Sequence, residues 1–343
     1  MRINPGVRLL ANGRGTVRVG TGPGHTELHD VSEADLDVLR RLARGETIPP
    51  PPPNSDAALA RGRLLQSVAH VLVDSEPCHA LPGLAADRLR TDGYGWAGAF
   101  GRSGEHPLEG RLRRRVWISG LDRCGMALAF TLAAAGVGQL ALADDTPVAP
   151  DDLGSSPLRL TELGLPRPAA VARHVARLYP HTHVLSPVSL TEAERGTDLL
   201  VLVVRDGIEA GLAARLGCAD LPVLPVVFHE GGFRVGPLAL PGAAGCEACR
   251  SEAWRVLEEG EELLGGGASP ETTSAVLAAG LAAQAVVMVL DGVFAPSVVN
   301  GAYVGTLGAA AIHFEPLPAS CAHGTAEQGS LEQGSIEQGS PAA

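Results

Sequence analysis

A short apolar run is followed by a segment in which three residues have the types and spacing of a nucleotide-binding turn. In the segment "VWISGLDRCGMALAF", Gly120 and Gly125 occupy the outer glycine positions of the pattern G-x-G-x-x-G, and Asp122 occupies the middle one. In this pattern the first glycine forms a tight turn, the second lets the backbone approach a phosphate, and the third lets the helix pack on the strand. Asp122 therefore puts a carboxylate where a phosphate would lie. An ordinary turn from strand to helix is the alternative interpretation.

Two acidic residues follow at the distance where such a turn needs them. Asp144 and Asp145 end the apolar run "QLALA", about 20 residues beyond the turn. An acid at the end of the second strand of a nucleotide-binding unit can accept hydrogen bonds from ribose hydroxyls. We therefore expect one or both to contact the sugar of a nucleotide, with a solvated strand terminus as the alternative.

A pair of cysteines has the spacing of half a zinc site. Cys246 and Cys249 form a C-x-x-C motif, and two thiolates at this spacing can bind one tetrahedral metal ion. The pair alone leaves buried thiols and a redox-active pair as alternatives. Cys218, in "LGCADLP", has no base nearby in the sequence, which favours a small buried residue over a nucleophile.

Alternating strands and helices must position these residues. The apolar runs "VWIS", "QLALA", "DLLVLVV" and "PVLPVVF" have the length of buried parallel strands, and "THVLSPV" is a further candidate. Between them, "PAAVARHVARLY" places Val171, Val175 and Leu178 on one helical face. The sequence therefore predicts an α/β fold with a doubly wound, mostly parallel Rossmann-like sheet, and a ligand site at the carboxyl ends of its strands. The apolar run at residues 274–290 contains Gln284 and predicts a buried core helix in place of a membrane span.

The first 75 residues predict a separate, small α/β module of winged-helix-like type. Two short strand-like runs, "VRLLAN" and "TVRVG", precede a helix that Ser32 can cap and Gly45 can end. Five consecutive prolines at residues 49–53 impose an extended segment, and a second helix is expected over residues 56–73. A looser, glycine-rich stretch at residues 76–114 is predicted to be a linker.

Composition narrows the classes of function. The chain of 343 residues has a net charge of -11 and only 3% aromatic residues, which disfavours a nucleic-acid-binding surface. Six cysteines over this length do not form a disulfide framework, and "MRINPGVRLL" lacks the apolar core of a secretory signal, so we expect a cytoplasmic protein. The repeated "EQGS" motif predicts a disordered tail at residues 324–343.

The main domain, residues 115–323, resembles a known family. The segments "GLDRCGMALAFTLAAAGVGQLALADDTPVAPDDLG", "LGLPRPAAVARHVARLYP", "TDLLVLVVRDG" and "PVLPVVFHEGGFRVGPLALPGAAGCEACR" look like those of the ThiF/MoeB/ubiquitin-activating superfamily, and the helix end "AAAGVG" is especially similar. The resemblance implies a homodimer that uses Mg-ATP to adenylate the C-terminal carboxylate of a small protein or peptide. It also implies an ATP site at the glycine turn.

The resemblance assigns roles to single residues. Asp144 or Asp145 corresponds to the ribose-binding acid, and Asp206 in "VVRDG" to the aspartate that holds Mg²⁺. Arg167 stands at the position of the phosphate-contacting lysine and keeps its charge, although a planar guanidinium replaces a compact ammonium. We therefore take Asp206 and Arg167 as the candidate catalytic residues, with an ordinary acid at the end of a strand as the alternative interpretation of Asp206.

The chain also departs from the family pattern at the phosphates and at the zinc site. Asp152 and Ser155 stand where the family has an asparagine and an arginine that meet the phosphates. In place of a second C-x-x-C motif near the end, Cys321 and His323 occur in "ASCAHG". The resemblance therefore implies a structural zinc site formed by Cys246, Cys249, Cys321 and His323.

The N-terminal module is weakly similar to the PqqD-like domains that bind leader peptides. Short strands followed by "VSEADLDVLRRLARG" and a later helix carry this similarity, although the proline run interrupts the pattern. The similarity implies peptide capture along an exposed strand edge. A packing or dimerisation module is the alternative.

The sequence as a whole thus predicts an ATP-dependent adenylyltransferase that acts on a peptide or small protein. The first alternative is a ThiF-type scaffold that binds a partner without catalysis, which the missing arginine and Asp122 favour. A nicotinamide-dependent oxidoreductase is the second alternative, because the glycine turn alone allows it. A purely structural protein is the third.

Overall fold

The computed structural model describes most of the chain in two compact units. It describes residues 1–73, 83–100, 107–154, 156–185, 195–217, 219–241, 247–258, 269–292, 296–308 and 311–318. The first unit contains the described parts of residues 1–114, 132–139 and 179–183, and the second contains the other described residues.

The first unit contains two small antiparallel sheets. Its strands are β1 (Arg2–Ile3), β2 (Leu9–Ala11), β3 (Val17–Val19), β4 (Thr26–Leu28) and β5 (Leu72–Val73). β1 pairs with β5, and the other three strands form a sheet in the order β2-β3-β4. The sequence predicts β2 and β3, which lie in the longer runs "VRLLAN" and "TVRVG", whereas β1, β4 and β5 lie in no run that the sequence analysis predicts as a strand.

The first helix of this unit has the boundaries that its capping residues predict. Helix α1 (Glu33–Arg44) begins after Ser32, whose Oγ accepts a hydrogen bond from the N–H of Asp35 at 3.2 Å. It ends at Gly45, which has a left-handed backbone with φ 72°. Helix α1 contacts β1, and its buried residues form the core of the unit together with Ile3 and Val68.

The second predicted helix is shorter than expected. Helix α2 (Asp56–Ser67) is followed by a 3-10 turn at Ala69–Val71 and then by β5. The prediction of one helix over residues 56–73 is therefore wrong at its end. The apolar residues beyond Ser67 do repeat at helical spacing, but Val68 and Val71 enter the core from the turn.

Two helices lie within the stretch that the sequence predicts as a linker. They are α3 (Gly83–Phe100) and α4 (Pro107–Arg113). Leu89 of α3 is fully buried and packs with Ala85 and Leu108 in a small apolar cluster. Glycines lower the helix propensity of this stretch, but burial of an apolar face outweighs propensity.

An eight-stranded sheet carries the remaining strands. They are β6 (Arg115–Ser119), β7 (Gln139–Ala143), β8 (His183–Leu185), β9 (Leu199–Arg205), β10 (Val223–His229), β11 (Gly232–Val235), β12 (Gly301–Thr306) and β13 (Ala311–Pro316). Their order is β13-β12-β11-β10-β9-β6-β7-β8. The strands β10, β9 and β6 are parallel neighbours, and β11, β12 and β13 extend the sheet antiparallel. The predicted doubly wound α/β fold is confirmed, with an antiparallel extension that the sequence analysis did not predict.

Five helices accompany this sheet in the described chain. They are α5 (Arg123–Ala134), α6 (Arg167–Leu178), α7 (Ala210–Gly217), α8 (Glu247–Ala253) and α9 (Thr272–Asp291). On α6, Val171 and Val175 are buried as predicted, but Leu178 is exposed at the helix end. His174 takes the remaining inward position and binds Glu162.

The apolar helix near the end of the chain packs on the sheet. Helix α9 contacts β10, β11 and β12, and a line of alanines including Ala275, Ala278 and Ala282 is buried. Its length and composition would also suffice to cross a membrane. Half of its apolar window is buried in the protein, which is typical of a core helix.

Candidate nucleotide site

The glycine turn between β6 and α5 has the close packing that its two glycines predict. Gly120 has φ 90°, and a Cβ atom there would collide with the carbonyl oxygen of Val203 on β9. A Cβ atom on Gly125 would collide with the carbonyl oxygen of Gly120. Both positions therefore require glycine, and α5 begins as close to the strand as in a nucleotide-binding turn.

Asp122 caps the helix that follows this turn. Its Oδ1 accepts hydrogen bonds from the backbone N–H groups of Cys124 at 2.9 Å and Gly125 at 3.3 Å. The residue is only 6% exposed. Burial raises the pKa of Asp122 above its ordinary value, although the two N–H groups and the charge of Arg205 oppose the rise. A carboxylate of the chain itself thus occupies the anion-binding end of α5.

Asp144 joins the end of β7 to the glycine turn. Its Oδ2 accepts a hydrogen bond from the N–H of Leu121 at 2.6 Å, and its Oδ1 accepts one from the N–H of Thr146 at 2.7 Å. Asp145, in contrast, is exposed. Of the two acids that the sequence offers for a ribose, only Asp144 lies against the turn in this structure.

Arg167 is held by two carboxylates at the beginning of α6. Its Nε and Nη2 donate to the two oxygens of Asp152, at 2.9 and 3.1 Å. Its Nη1 donates to Asp144 Oδ2 at 3.3 Å and to Thr146 Oγ1 at 2.6 Å. The Asp152 side chain is fully buried and that of Arg167 is 10% exposed. Every nitrogen of the guanidinium group therefore has a partner within the protein.

Asp206 lies directly beyond the end of β9. Its N–H donates to the carbonyl oxygen of Phe228 on β10 at 2.7 Å, and its φ of 63° is left-handed. Aspartate tolerates this conformation better than most residues. The half-buried Asp206 therefore stands at the carboxyl end of a central strand, where ligands bind in doubly wound sheets.

Arg205 is a site residue that the sequence analysis missed. Its Nε lies 3.7 Å from Asp122 Oδ2, and its Nη2 donates to Ser269 Oγ at 3.3 Å. The sequence does contain a signal for Arg205, because this residue immediately precedes Asp206 at the end of a predicted strand. An arginine at the end of an apolar run is common enough to be overlooked.

A second arginine, Arg123, ties the loops around the turn together. Its guanidinium group donates to the backbone oxygens of Asp151 and Pro270, the latter at 3.1 Å. The hydroxyl of Ser269 donates to the carboxylate of Asp151. This hydrogen bond is the main cause that lowers the pKa of Asp151, against a smaller rise from burial. The network links α5 to the segment that leads into α9.

The charges around the turn decide which ligands fit. Among the described residues of this region, the carboxylates outnumber the guanidinium groups: there are five acids, Asp122, Asp144, Asp151, Asp152 and Asp206, and four arginines, Arg123, Arg167, Arg205 and Arg255. The backbone of the turn fits a nucleotide. The phosphates of a nucleotide fit only if a divalent cation or a proton offsets the excess of negative charge on the carboxylates.

Several predicted residues lie outside the described part of the chain. They are Ser155, Cys218, Cys246, Cys321, His323 and the predicted tail, and for Cys249 only the backbone is described. Within the described residues, no group of three or more histidine, cysteine, aspartate or glutamate residues could hold a metal ion. The zinc site therefore stays a prediction. Cys124, which is not one of its predicted ligands, is a buried thiol of α5.

Solved structures resemble this chain over almost its full length. PaaA has a TM-score of 0.67 at 17% sequence identity, and the match covers 91% of this chain and 98% of PaaA. The microcin C7 biosynthetic enzyme MccB in complex with N-formylated MccA has a TM-score of 0.66 at 16% identity, with coverage of 92% and 96%. MccB of E. coli with ATP has a TM-score of 0.65 at 15% identity, with coverage of 94% and 98%.

Sequence comparisons give no such result, since no family model and no curated protein matches the chain. The fold alone therefore connects this chain to known proteins. The chain has the fold of PaaA and MccB, which agrees with the predicted fold.

Proposed function

We propose that this protein uses Mg-ATP to adenylate the C-terminal carboxylate of a peptide or small protein. In this reaction a carboxylate oxygen of the partner attacks the α-phosphorus of ATP. The bond from that phosphorus to the bridging oxygen of the β-phosphate breaks, and pyrophosphate leaves with the electron pair. The product is an acyl-adenylate, and no proton has to move.

One observation carries the proposal. Asp144 contacts the glycine turn after β6, and Asp206 lies at the carboxyl end of the neighbouring strand β9, where the strand order of the sheet reverses. An acid for the ribose and an acid for a cation therefore flank a turn that only glycine can form. MccB, which shares the fold, has been solved with ATP, and this favours ATP over a nicotinamide cofactor.

Asp206 is the residue that we assign to Mg²⁺. Magnesium ions are commonly bound through one or two carboxylates together with the phosphates of the substrate, so a single acid from the protein suffices. Bound there, the ion would neutralise phosphate charge and polarise the α-phosphate. Arg167 is the cation that the resemblance assigns to the phosphates.

The N-terminal unit supports a peptide as the partner. A cavity of about 540 Å³ lies between α1, α2 and the proline segment, where Val38, Leu42, Pro51 and Leu65 contribute apolar surface. Arg61 also lines the cavity and could pair with an acidic group of a peptide. MccB, in turn, was solved in complex with N-formylated MccA. We propose that this unit recognises the partner and that the second unit activates it.

The proposal includes a cytoplasmic homodimer. Exposed apolar side chains on α9 (Val276 and Leu277) and on the edge strand β13 (Ile312 and Phe314) support self-association. Light scattering coupled to size exclusion would measure the mass directly. A monomer at micromolar concentration would refute this part of the proposal.

Exchange of labelled pyrophosphate into ATP tests the proposed reaction. We expect exchange with synthetic peptides that have a free C-terminal carboxylate and none with the same peptides amidated at the C-terminus. The amidated peptides are the matched control, since they keep every side chain and lose only the nucleophile. Exchange that does not depend on the free carboxylate would refute adenylation of that group.

A second candidate function is partner binding without catalysis. Asp122 already fills the anion-binding end of α5, and Arg167 is bound by Asp144 and Asp152. Both observations favour a scaffold that has lost ATP. The two candidates differ in calorimetry, where the enzyme binds Mg-ATP and the scaffold does not.

A further inference from the structure

We propose that Arg255 and His229 bind the C-terminal carboxylate of the partner, beside Asp206 at the edge of the sheet. The inference rests on the proposed function in one respect, namely that the partner presents a free C-terminal carboxylate to this edge. It assigns the end of β10 and the turn after α8 to the partner, whereas the glycine turn and Asp144 serve the nucleotide.

His229 and Asp206 lie side by side at the ends of two parallel strands. In the register of β9 and β10, Arg205 lies opposite Phe228, and the next residues along the chain are Asp206 and His229. The N–H of Asp206 donates to the carbonyl oxygen of Phe228 at 2.7 Å, which ties the two strand ends together. Along this edge the order is therefore Asp144 after β7, the glycine turn after β6, Asp206 after β9 and His229 on β10. A nucleotide between Asp144 and Asp206 leaves the end of β10 to the partner.

His229 offers one N–H group as a donor. Its Nδ1 accepts a hydrogen bond from the backbone N–H of Gly231 at 3.2 Å, so Nδ1 carries no proton in this geometry. The proton of the neutral ring therefore lies on Nε2, which has no hydrogen-bond partner among the described residues. Partial burial, followed by the charge of Arg255, lowers the pKa of His229, in agreement with a neutral ring. The side chain can thus donate a hydrogen bond to an anion without giving up a proton.

Arg255 supplies the positive charge. Within the described part of the chain, its guanidinium group has one hydrogen bond, from Nε to the carbonyl oxygen of Asp206 at 3.5 Å, which is long for such a bond. The residue is exposed, and none of the described carboxylates forms a salt bridge with it. Arg255 can therefore turn towards an anion without leaving a buried acid unpaired. The two arginines that face buried aspartates, Arg167 and Arg205, do not have this freedom.

The backbone conformation of Arg255 is one that glycine adopts more easily. The turn after α8 has the two hydrogen bonds of a Schellman motif, from the N–H of Arg255 to the oxygen of Glu252 and from the N–H of Val256 to the oxygen of Ser251, both at 3.0 Å. Arg255 takes the left-handed position of this motif, with φ 53°. Glycine is the usual residue there, because a Cβ atom is unfavourable in this conformation. An arginine at a glycine position points to a function of its side chain.

These two donors suit a carboxylate that has to attack the α-phosphorus. The carboxylate must stay ionised, so its binding groups must stabilise negative charge without protonating it. The guanidinium group of Arg255 keeps its protons in proteins, and the neutral ring of His229 donates only a hydrogen bond. Both side chains lie next to Asp206, which we assign to Mg²⁺ and thus to the phosphates. The carboxylate and the phosphates would therefore meet at the end of β9.

The test compares two probes that differ only in the terminal carboxylate. They are N-acetylalanylalanine with a free C-terminus and the same compound as its C-terminal amide. Their affinities are measured by nuclear magnetic resonance titration of the full chain without nucleotide and without Mg²⁺, so that neither supplies the contact. We expect the free acid to bind native protein about fivefold more tightly than the amide, as for an exposed pair of charges.

Two variants remove the donors and keep the local structure. Arg255→Gly restores the residue that the turn prefers, so it should melt at the same temperature as native protein or higher. His229→Asn keeps an oxygen that can accept from the N–H of Gly231, but its shorter side chain withdraws the outer donor. Arg215→Gln, on the exposed face of α7, is the matched control for the loss of one positive charge.

The preference for the free acid over the amide gives the readout. It should fall below about twofold in Arg255→Gly and in His229→Asn, and it should stay at its native value in Arg215→Gln. Equal binding of the two probes to native protein would overturn the inference. A preference that is unchanged in either Arg255→Gly or His229→Asn would overturn it as well, and so would a loss in Arg215→Gln of the same size.

The proposed function can fail while this inference stands. A preference for the free acid that depends on both residues, without pyrophosphate exchange for any peptide, would refute adenylation and support the carboxylate site. Exchange that needs a free C-terminal carboxylate, with the same KM for the peptide in native protein, Arg255→Gly and His229→Asn, would do the reverse.

Discussion

Removal of the charge at Asp122 should strengthen the binding of Mg-ATP. Asp122→Asn keeps an oxygen that can cap α5 through the N–H groups of Cys124 and Gly125, and it changes little besides the charge. Asp122→Gly removes the side chain altogether and restores the middle glycine of the pattern. Comparison of the two variants separates repulsion from lack of space.

The structure allows an estimate of the size of the effect. A phosphate oxygen that approaches the same N–H groups would lie about 4 Å from the Asp122 carboxylate, where two unit charges repel by about 4 kcal/mol at an effective dielectric constant of about 20. Arg205, 3.7 Å away, offsets part of this repulsion. If about half remains, each variant should bind Mg-ATP about 2 kcal/mol more tightly, which is roughly thirtyfold in Kd.

Calorimetry on the native protein and both variants decides between the candidate functions. Measurable native binding that improves at least tenfold in the variants supports an enzyme with a weakened ATP site. Binding that occurs only in the variants supports a scaffold whose own carboxylate excludes the nucleotide. No binding in any of the three would show that the nucleotide assignment is wrong.

The stability of Asp122→Asn provides an independent control. Burial raises the pKa of Asp122 in the folded protein, so the ionised side chain destabilises the native state at neutral pH. The asparagine variant should gain stability relative to the native protein at pH 7. This gain should disappear as the pH falls below the ordinary aspartate pKa of about 3.9, because both proteins are then uncharged at this position. A variant that is less stable at pH 7 would contradict this account of the burial.

Three further predictions concern other parts of the second unit. Asp206→Asn should weaken nucleotide binding only in the presence of Mg²⁺, and calorimetry that shows equal loss with and without the ion would indicate a fold defect. If the predicted zinc site exists, metal analysis should find about one zinc per chain and Cys246→Ala should release it, whereas metal-free protein purified without chelators would exclude the site. Burial raises the pKa of Glu162, but the hydrogen bond from His174 and other partners lower it overall. Glu162→Gln should therefore lose stability at neutral pH, and urea titrations should show the difference from native protein shrinking below about pH 4.3.

The parts of the fold that local rules determine were predictable from the sequence. Ser32 and Gly45 mark the ends of α1 because a side-chain cap and a left-handed glycine satisfy the unpaired groups of a helix. The runs that became β6, β9 and β10 are apolar throughout because both faces of these strands are covered. Short strands such as β1 and β4 have no such signature, because two or three residues show no period and, unlike β2 and β3, they do not lie in a longer strand-like run.

The candidate site was predictable only where the backbone defines it. Gly120 and Gly125 were identifiable because the turn excludes a Cβ atom at both positions. The pairing of Arg167 with Asp152 was not, although both residues had been singled out. The sequence separates them by a loop and a helix start, and only the three-dimensional structure shows that one arginine faces two acids.

The pattern of departures from the ThiF-type motif is informative once these pairs are known. Asp152 is an acid where the family has an asparagine, and it faces Arg167; Asp122 is an acid where the family has a glycine, and it faces Arg205. Random loss of an active site would leave some of these new charges buried without a partner, which is costly. Each new acid instead lies beside an arginine. Both of these buried acids are therefore paired, although carboxylates outnumber guanidinium groups around the turn, and the pairing favours a rearranged site over one that has simply decayed.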